Sequence, residues 1–124
     1  MDAIAHLKYA KIAPRKARVV VGLIRGKMVT DAVDMLKFTK RSAAPLVAKL
    51  LESAIANAKQ KDPGVNLDNV FVQRAWVNQA PNSMMRRWRP RAMGRATRIA
   101  KGVSHITLVL ASKDLASKEQ KARA

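Results

Sequence analysis

The sequence predicts a single domain that mixes helices with strands and carries a long arginine-rich projection. Apolar residues recur at intervals of three and four through residues 14–60, which is the spacing of helices packed on a core. The interval becomes two in residues 70–79 and 104–112, as in strands with one buried face. Residues 83–98, between these two runs, are rich in arginine and contain no acidic residue. The pattern therefore predicts a folded core with a cationic extension.

Length and composition limit the class of protein. The chain has 124 residues, 48% of them hydrophobic, so we expect residues 1–124 to form one domain with a modest core. It contains no cysteine, which excludes disulfides and thiolate zinc sites. It also contains no run of eighteen apolar residues and no signal segment. We therefore expect a soluble, cytoplasmic protein with no metal site and no cofactor.

A short strand and an amphipathic helix come first. Residues 3–12 alternate as a strand does, and three residues are predicted to share one side: Ala5, Leu7 and Tyr9. Pro14 suits the first position of a helix, where its missing N–H costs nothing, and Gly26 is a stop signal. The core-facing positions of this helix are predicted to be Ala17, Val20, Val21 and Ile24.

Two further helices are predicted. Thr30 is a candidate N-cap for a short helix that ends near Phe38. Ser42 is a candidate N-cap for the longest helix, at about residues 43–60. The segment KDPGVNLDN, Lys61–Asn69, has the composition of a turn and ends the helical half of the chain.

Two runs with a period of two follow the turn. In Val70–Gln79, three residues are predicted to share one side of a strand: Phe71, Ala75 and Val77. In Ser104–Ser112, the corresponding residues are Ile106, Leu108 and Leu110. The tail, at about residues 113–124, is polar and rich in alanine, and we expect it to be a frayed helix or disordered.

The arginine-rich stretch is predicted to be the far end of a β-hairpin. The two strand-like runs are too far apart in sequence for a compact loop to join them. We therefore expect both strands to continue outward as a long hairpin at about residues 78–103. Its turn is predicted near Arg91–Gly94, because Gly94 supplies the positive φ that such a turn tends to need.

The sequence offers no catalytic constellation. None of its eight acidic residues lies in the arginine-rich stretch, and no pair has a spacing that implies acid–base work. His6 and His105 stand far apart in sequence, and a lone histidine is more often a packed or surface residue than a ligand. There is no glycine-rich phosphate loop. We expect no enzymatic activity.

The charge indicates a polyanionic partner. The net charge is +17, and residues 69–113 hold nine basic residues and no acidic residue. Arginine binds phosphate with two donors, which favours a nucleic acid. Trp88 would either stack on unpaired bases or brace the hairpin. A membrane-surface protein is disfavoured, because Pro90 and Gly94 interrupt the continuous helix that it would need.

A second basic surface is predicted on and around the first helix. Arg15, Arg18 and Arg25 share a face away from the apolar stripe. Such faces are often merely solvated, but flanking lysines favour binding: Lys8, Lys11, Lys16 and Lys27. A long narrow projection suits folded RNA, whereas readers of the DNA major groove usually present a rigid helix. A protein that compacts duplex DNA is the alternative.

Four stretches carry a specific resemblance to a known family: APRKARVVVGLIRGK (13–27), KLLESAIANA (49–58), RRWRPRAMGRATRI (86–99) and SHITLVL (104–110). In this order they resemble the large-subunit ribosomal protein family L-twenty-two, of the bacterial type. The resemblance covers nearly the whole chain except the tail. The family often has serine where Ala13 stands and a basic residue where Met93 stands.

The resemblance implies an α+β fold, in which three helices pack on a three-stranded antiparallel sheet and two strands extend into the hairpin. It implies a structural role in the large ribosomal subunit, where the chain would bind and organise several domains of 23S-type rRNA. The hairpin tip, Met93, Gly94 and Arg95, would line the nascent-polypeptide exit tunnel. Expected partners are rRNA, neighbouring ribosomal proteins and the nascent chain, without a membrane or a homo-oligomer.

The predicted rRNA-binding residues combine the basic surface of the first helix with the hairpin. They are Lys8, Lys11, Arg15, Lys16, Arg18, Arg25, Lys27, Arg86, Arg87, Trp88, Arg89, Arg91, Arg95, Arg98 and Lys101.

Overall fold

A computed structural model describes residues 2–81, 87–99 and 102–112. Its helices and strands are β1 (Asp2–Ala10), α1 (Pro14–Ile24), α2 (Val29–Phe38), α3 (Ala44–Lys61), β2 (Val70–Gln79), β3 (Arg87–Pro90), β4 (Ala96–Ile99) and β5 (Ser104–Ser112). Short 3₁₀ turns occupy Leu67–Asn69 and Ala92–Gly94. None of the helices in these ranges is long and apolar enough to cross a membrane.

The main sheet has three antiparallel strands in the order β1–β5–β2. The central strand β5 is buried along almost its whole length, and Ile106, Leu108 and Leu110 have no exposed surface. Helix α3 packs against β1 and β5, while α1 packs against β2. The expected α+β fold, with three helices on a three-stranded antiparallel sheet, is therefore confirmed.

Helix α1 forms as predicted. It begins at Pro14 and buries the four residues of its apolar stripe: Ala17, Val20, Val21 and Ile24. Gly26 follows the helix with a φ of 78°, a conformation that glycine adopts without steric cost. Ala13 is the N-cap residue and makes no side-chain hydrogen bond to the helix, so the first turn lacks a side-chain cap.

The predicted caps Thr30 and Ser42 are wrong. Helix α2 begins at Val29, one residue before Thr30, because Met28 forms a β-bridge with Phe71 and is thereby held extended at the N-cap position. The N-cap of α3 is Ala43, which follows a turn closed by the bond from the Ala44 N–H to the Arg41 carbonyl. Backbone pairing and burial, rather than capping side chains, set these two starts.

Strand β1 departs from its predicted alternation near its end. Ala3 and Ala5 are buried, but Tyr9 is 61% exposed and has a φ of 58°, so it does not share their side. The register with β5 shifts between Leu7 and Ala10, as at a β-bulge. On the outer edge of this strand, Asn57 Nδ2 of α3 donates a 3.0 Å hydrogen bond to the Ile4 carbonyl.

A β-bulge also corrects the predicted face of β2. The register with β5 shifts between Val72 and Arg74, so two residues oppose one at this point. Val70 and Val72 are buried before the shift, and Ala75 and Val77 after it. The prediction that Phe71 shares a face with Ala75 and Val77 is therefore wrong, because the inserted residue reverses the alternation.

Strands β3 and β4 pair in a second, two-stranded sheet. The register runs from Arg87 opposite Ile99 to Pro90 opposite Ala96. The turn between them is closed by a 2.6 Å bond from the Arg91 N–H to the Arg95 carbonyl. Its location agrees with the predicted turn.

One backbone hydrogen bond lies beyond the ends of β2 and β5, on the side toward this hairpin. A 2.8 Å bond from the Ala80 N–H to the Val103 carbonyl extends the β2–β5 ladder toward the hairpin. Residues 82–86 and 100–101, on which the predicted long hairpin depends, lie outside the described residues. The predicted tail, residues 113–124, lies outside them as well.

Candidate nucleic-acid interface

The described end of the hairpin presents large cationic and aromatic side chains to solvent. Arg89, Arg91 and Arg95 are exposed, and Trp88 is 67% exposed. An indole with this much free surface is available to stack on a base, the first of the two roles considered for it. Of the other predicted residues, Arg87 and Arg98 lie in the paired strands, while Arg86 and Lys101 lie outside the described residues.

The hairpin turn is more constrained than the sequence predicts. Gly94 has a φ of 70°, as expected for the turn, but Met93 also has a positive φ of 64°. For a residue with a Cβ, the left-handed conformation costs about 1–2 kcal/mol. Met93 is also 93% exposed, so its side chain projects from the tip without support from the described residues.

Two arginines of the first helix contact the sheet. Arg18 donates from Nε and Nη2 to the Val77 carbonyl, at 3.3 and 3.1 Å. Arg25 donates in the same way to the Ala75 carbonyl, at 3.1 and 2.7 Å. Arg18 lies on α1, and Arg25 is the extended residue that follows the helix, so the two side chains reach alternate carbonyls of β2.

These contacts continue a row of bonds along the outer edge of β2. The Gly26 N–H donates to the Val72 carbonyl and the Val72 N–H donates to the Lys27 carbonyl, each at 2.9 Å. Sequence reasoning missed this role, because nothing in the sequence identifies β2 as an edge strand. Arg18 and Arg25 thus support the fold, and both remain exposed on their outer side.

A cluster of cations surrounds an open cavity of about 520 Å³ between the beginnings of α1 and α3. Arg15 and Lys16 of α1 line it together with Lys40 and Arg41 of the loop before α3. The structure thus joins two predicted binding residues to two that the sequence analysis missed. The adjacent cations Lys40 and Arg41 are visible in the sequence, but only the fold shows that they lie beside the first helix. Lys8, Lys11 and Lys27 are exposed elsewhere on the surface.

The residues at the beginning of β5 lie against the start of α1. Ser104 is fully buried, and its Oγ donates a 2.6 Å hydrogen bond to the Ile12 carbonyl. Gly102 comes so close that a Cβ placed on it would lie 2.7 Å from the Cα of Ala13. The segment that leads into β5 therefore packs closely on the same helix start that borders the cavity.

Both histidines have structural contacts. His6 Nδ1 and Thr107 Oγ1 share a 3.1 Å hydrogen bond across β1 and β5. The Tyr9 N–H donates a 3.1 Å hydrogen bond to His105 Nδ1. The two rings pack edge to face, with their centroids 4.8 Å apart. In the described ranges, no three residues among His, Cys, Asp and Glu come together as metal ligands would.

Comparison with known proteins gives one consistent result. The family model described as Ribosomal protein L22p/L17e matches residues 5–111. "Large ribosomal subunit protein uL22" of Sorangium cellulosum (strain So ce56) is 51% identical over 108 residues, which are 87% of this chain and 95% of that protein. The protein of the same name from Geobacter metallireducens is 46% identical over 113 residues, 91% of this chain and 100% of that protein. The protein of the same name from Syntrophobacter fumaroxidans is 45% identical over 113 residues, which are also 91% of this chain and 100% of that protein.

Proposed function

Because this chain belongs to the family of Ribosomal protein L22p/L17e, we propose that it binds large-subunit rRNA through its hairpin and through the basic surface around α1. Membership makes it a structural, non-enzymatic component of the large ribosomal subunit. The proposal concerns what the chain contacts there and how its residues make those contacts.

The observation that carries the proposal is the charge of the exposed hairpin end. Arg89, Arg91 and Arg95 are exposed around the turn, and residues 69–113 contain no acidic residue that could neutralise them. Side chains with like charge repel one another at such density, and phosphates relieve the repulsion by accepting charge-assisted hydrogen bonds. Crowded rRNA segments would be drawn together around this hairpin for the same reason, which is how it would organise several rRNA domains.

The tip has a separate proposed role. Met93, Gly94 and Arg95 would line the exit tunnel and contact the nascent polypeptide. The exposed, unbranched Met93 side chain supports this role, because a flexible thioether adapts to many passing side chains. The positive φ at both Met93 and Gly94 belongs to the tight turn that ends the hairpin, which places these two residues at its tip. Neighbouring ribosomal proteins are expected as further partners.

A competition assay tests the rRNA proposal against the alternative of a DNA-compacting protein. Labelled large-subunit rRNA is bound to the full chain, and unlabelled rRNA or duplex DNA of equal nucleotide concentration is added at fixed ionic strength. We expect unlabelled rRNA to displace the label at far lower concentration than duplex DNA does. Equal displacement by duplex DNA would favour general polyanion binding and overturn the proposal.

A further inference from the structure

We propose that the cavity between the beginnings of α1 and α3 binds an RNA backbone phosphate, at a site separate from the hairpin. This inference rests on the proposed rRNA-binding function. It adds Lys40 and Arg41 to the binding residues and assigns them a shared ligand with Arg15 and Lys16.

The first support is the convergence of charge on one concave surface. Among the described residues, the cavity is lined by four cationic side chains and by no acidic one. The four are Arg15, Lys16, Lys40 and Arg41. Within the described ranges, none of the four makes a side-chain hydrogen bond or an ion pair with another residue. Four unpaired cations around a cavity repel one another, and a bound anion would offset that repulsion.

The second support is that the fold holds both halves of the cluster in place. Arg15 and Lys16 belong to the first turn of α1, whose opposite face is buried in the core. Lys40 and Arg41 lie between two fixed points. On one side Thr39 Oγ1 donates a 2.6 Å bond to the Met35 carbonyl, and on the other the Ala44 N–H donates to the Arg41 carbonyl. A site built in advance loses less entropy when its ligand binds.

The helix ends add to the field of the cluster without forming the site themselves. Helices α1 and α3 both begin at the cavity, with alanine N-caps that lack side-chain bonds and with no acid in the first turn. Their positive dipole ends are therefore not compensated. Pro14 and Pro45 remove backbone donors from these turns, so the four side chains would supply the contacts.

The size and lining of the cavity fit more than a bare ion. Its volume of about 520 Å³ is within the usual range for sites that hold small molecules. Ala13, Val19 and Ala43 give it an apolar part beside the cations. A phosphate could therefore bind to the cations while the attached sugar lies on the apolar wall. The lining therefore accommodates the sugar of an RNA backbone as well as its phosphate.

The first experiment measures rRNA affinity in a charge-matched pair of variants. Lys40→Gln with Arg41→Gln removes two cations from the cavity, and Lys37→Gln with Lys59→Gln removes two exposed cations outside it. We expect the cavity variant to bind large-subunit rRNA about tenfold more weakly than the control, because hydrogen bonds to charged groups are lost. Equal affinities in the two variants, with rRNA binding by the wild type intact, would overturn this inference and leave the proposed function standing.

The second experiment does not depend on rRNA. Inorganic phosphate is titrated into ¹⁵N-labelled full chain, with chloride at matched ionic strength as the control. We expect saturable amide shifts confined to Ala13, Arg15, Lys16 and residues 40–44, which the Lys40→Gln, Arg41→Gln variant loses. Absence of such shifts would overturn the site. Shifts without an effect of the variant on rRNA affinity would also overturn it, since the cavity would then bind free anions only.

Discussion

Arg25 donates two hydrogen bonds from one guanidinium to the carbonyl oxygen of Ala75, 3.1 Å from Nε and 2.7 Å from Nη2. Ala75 lies on β2, which pairs with β5 on one side and is the edge strand of the main sheet as far as the described residues show. The flat, fork-shaped guanidinium is suited to such paired donation, which an ammonium group cannot reproduce. Arg25, which is predicted from the sequence to contact RNA, therefore also holds the end of α1 against the sheet.

Arg25→Lys should lower the free energy of unfolding by about 1 kcal/mol although the charge is kept, because the paired hydrogen bonds to Ala75 are lost. The measurement is the midpoint of urea unfolding at constant slope. Arg15→Lys is the control, because Arg15 lines the cavity and, among the described residues, donates no hydrogen bond to a carbonyl of the sheet. Equal midpoints for the two variants would show that the bonds contribute nothing to stability.

Two glycines should respond oppositely to alanine. Gly102→Ala would place a Cβ 2.7 Å from the Cα of Ala13, so backbone must move, at a cost of about 1–3 kcal/mol. Gly22 is exposed on α1, and a Cβ added there would meet nothing within 4 Å, so Gly22→Ala should stabilise the protein by about 0.5–1 kcal/mol. Thermal unfolding measures both. Similar melting temperatures for the two variants would contradict the close approach of Gly102.

Ser104→Ala should lower the free energy of unfolding by about 1–3 kcal/mol, because it leaves the Ile12 carbonyl without its buried donor. Ser53→Ala on the exposed part of α3 is the matched control and should change stability by less than about 0.5 kcal/mol. Both are measured by urea unfolding. A Ser104 variant as stable as its control would mean that the bond does not secure the start of α1.

Changes at the hairpin turn should act locally. Gly94→Ala puts a Cβ at a φ of 70°, and about 1 kcal/mol of strain should speed exchange of the Arg91 amide roughly fivefold. Met93→Gly removes the corresponding strain and should slow that exchange. Hydrogen exchange followed by NMR reports the effect, while the unfolding midpoint should not move. A shift of the midpoint would mean that the turn is coupled to the core.

The hairpin arginines should control the salt dependence of rRNA binding. Replacement of Arg89, Arg91 and Arg95 by glutamine should reduce the slope of log affinity against log salt by about 2, since each lost phosphate contact removes about 0.7–0.9. The control replaces three exposed lysines outside the hairpin and the cavity: Lys37, Lys49 and Lys59. The same slope in both triple variants would argue against phosphate contacts by the hairpin.

Much of the fold can be predicted from the local sequence pattern. Strand β5 has the predicted bounds, because Ile106, Leu108 and Leu110 alternate without interruption. Helix α1 buries its predicted stripe, because the 3.6-residue period leaves few alternatives. The turn at Gly94 was also predictable, since glycine takes positive φ without cost. In each case the information lies within about ten residues.

Features that depend on distant partners were not predictable. The bulge between Val72 and Arg74 reverses the face of β2, and its register is set by β5 about forty residues later. Helix α2 starts at Val29 because Met28 pairs with Phe71. Met93 adopts a left-handed backbone that no local preference of methionine favours.

The candidate site follows the same division. The charge of the hairpin was evident from composition alone, because residues 69–113 hold no acidic residue. The cavity was not evident, because the rest of α1 and the whole of α2 separate Arg15 from Lys40, and the two residues meet only through packing. The sheet contacts of Arg18 were hidden for the same reason. Composition gives the amount of charge, whereas packing decides which charged side chains lie together.

The side chains that bond to carbonyls at the edges of the main sheet also matter for the free protein, before it assembles with RNA. Asn57 of α3 covers the Ile4 carbonyl on one edge. On the other edge, Arg18 of α1 covers the Val77 carbonyl, and Arg25, which follows α1, covers the Ala75 carbonyl. A bare edge is a template on which another chain can add a strand and begin to aggregate. Newly synthesised copies that crowd together before RNA is at hand would therefore find no open edge at these positions to propagate from.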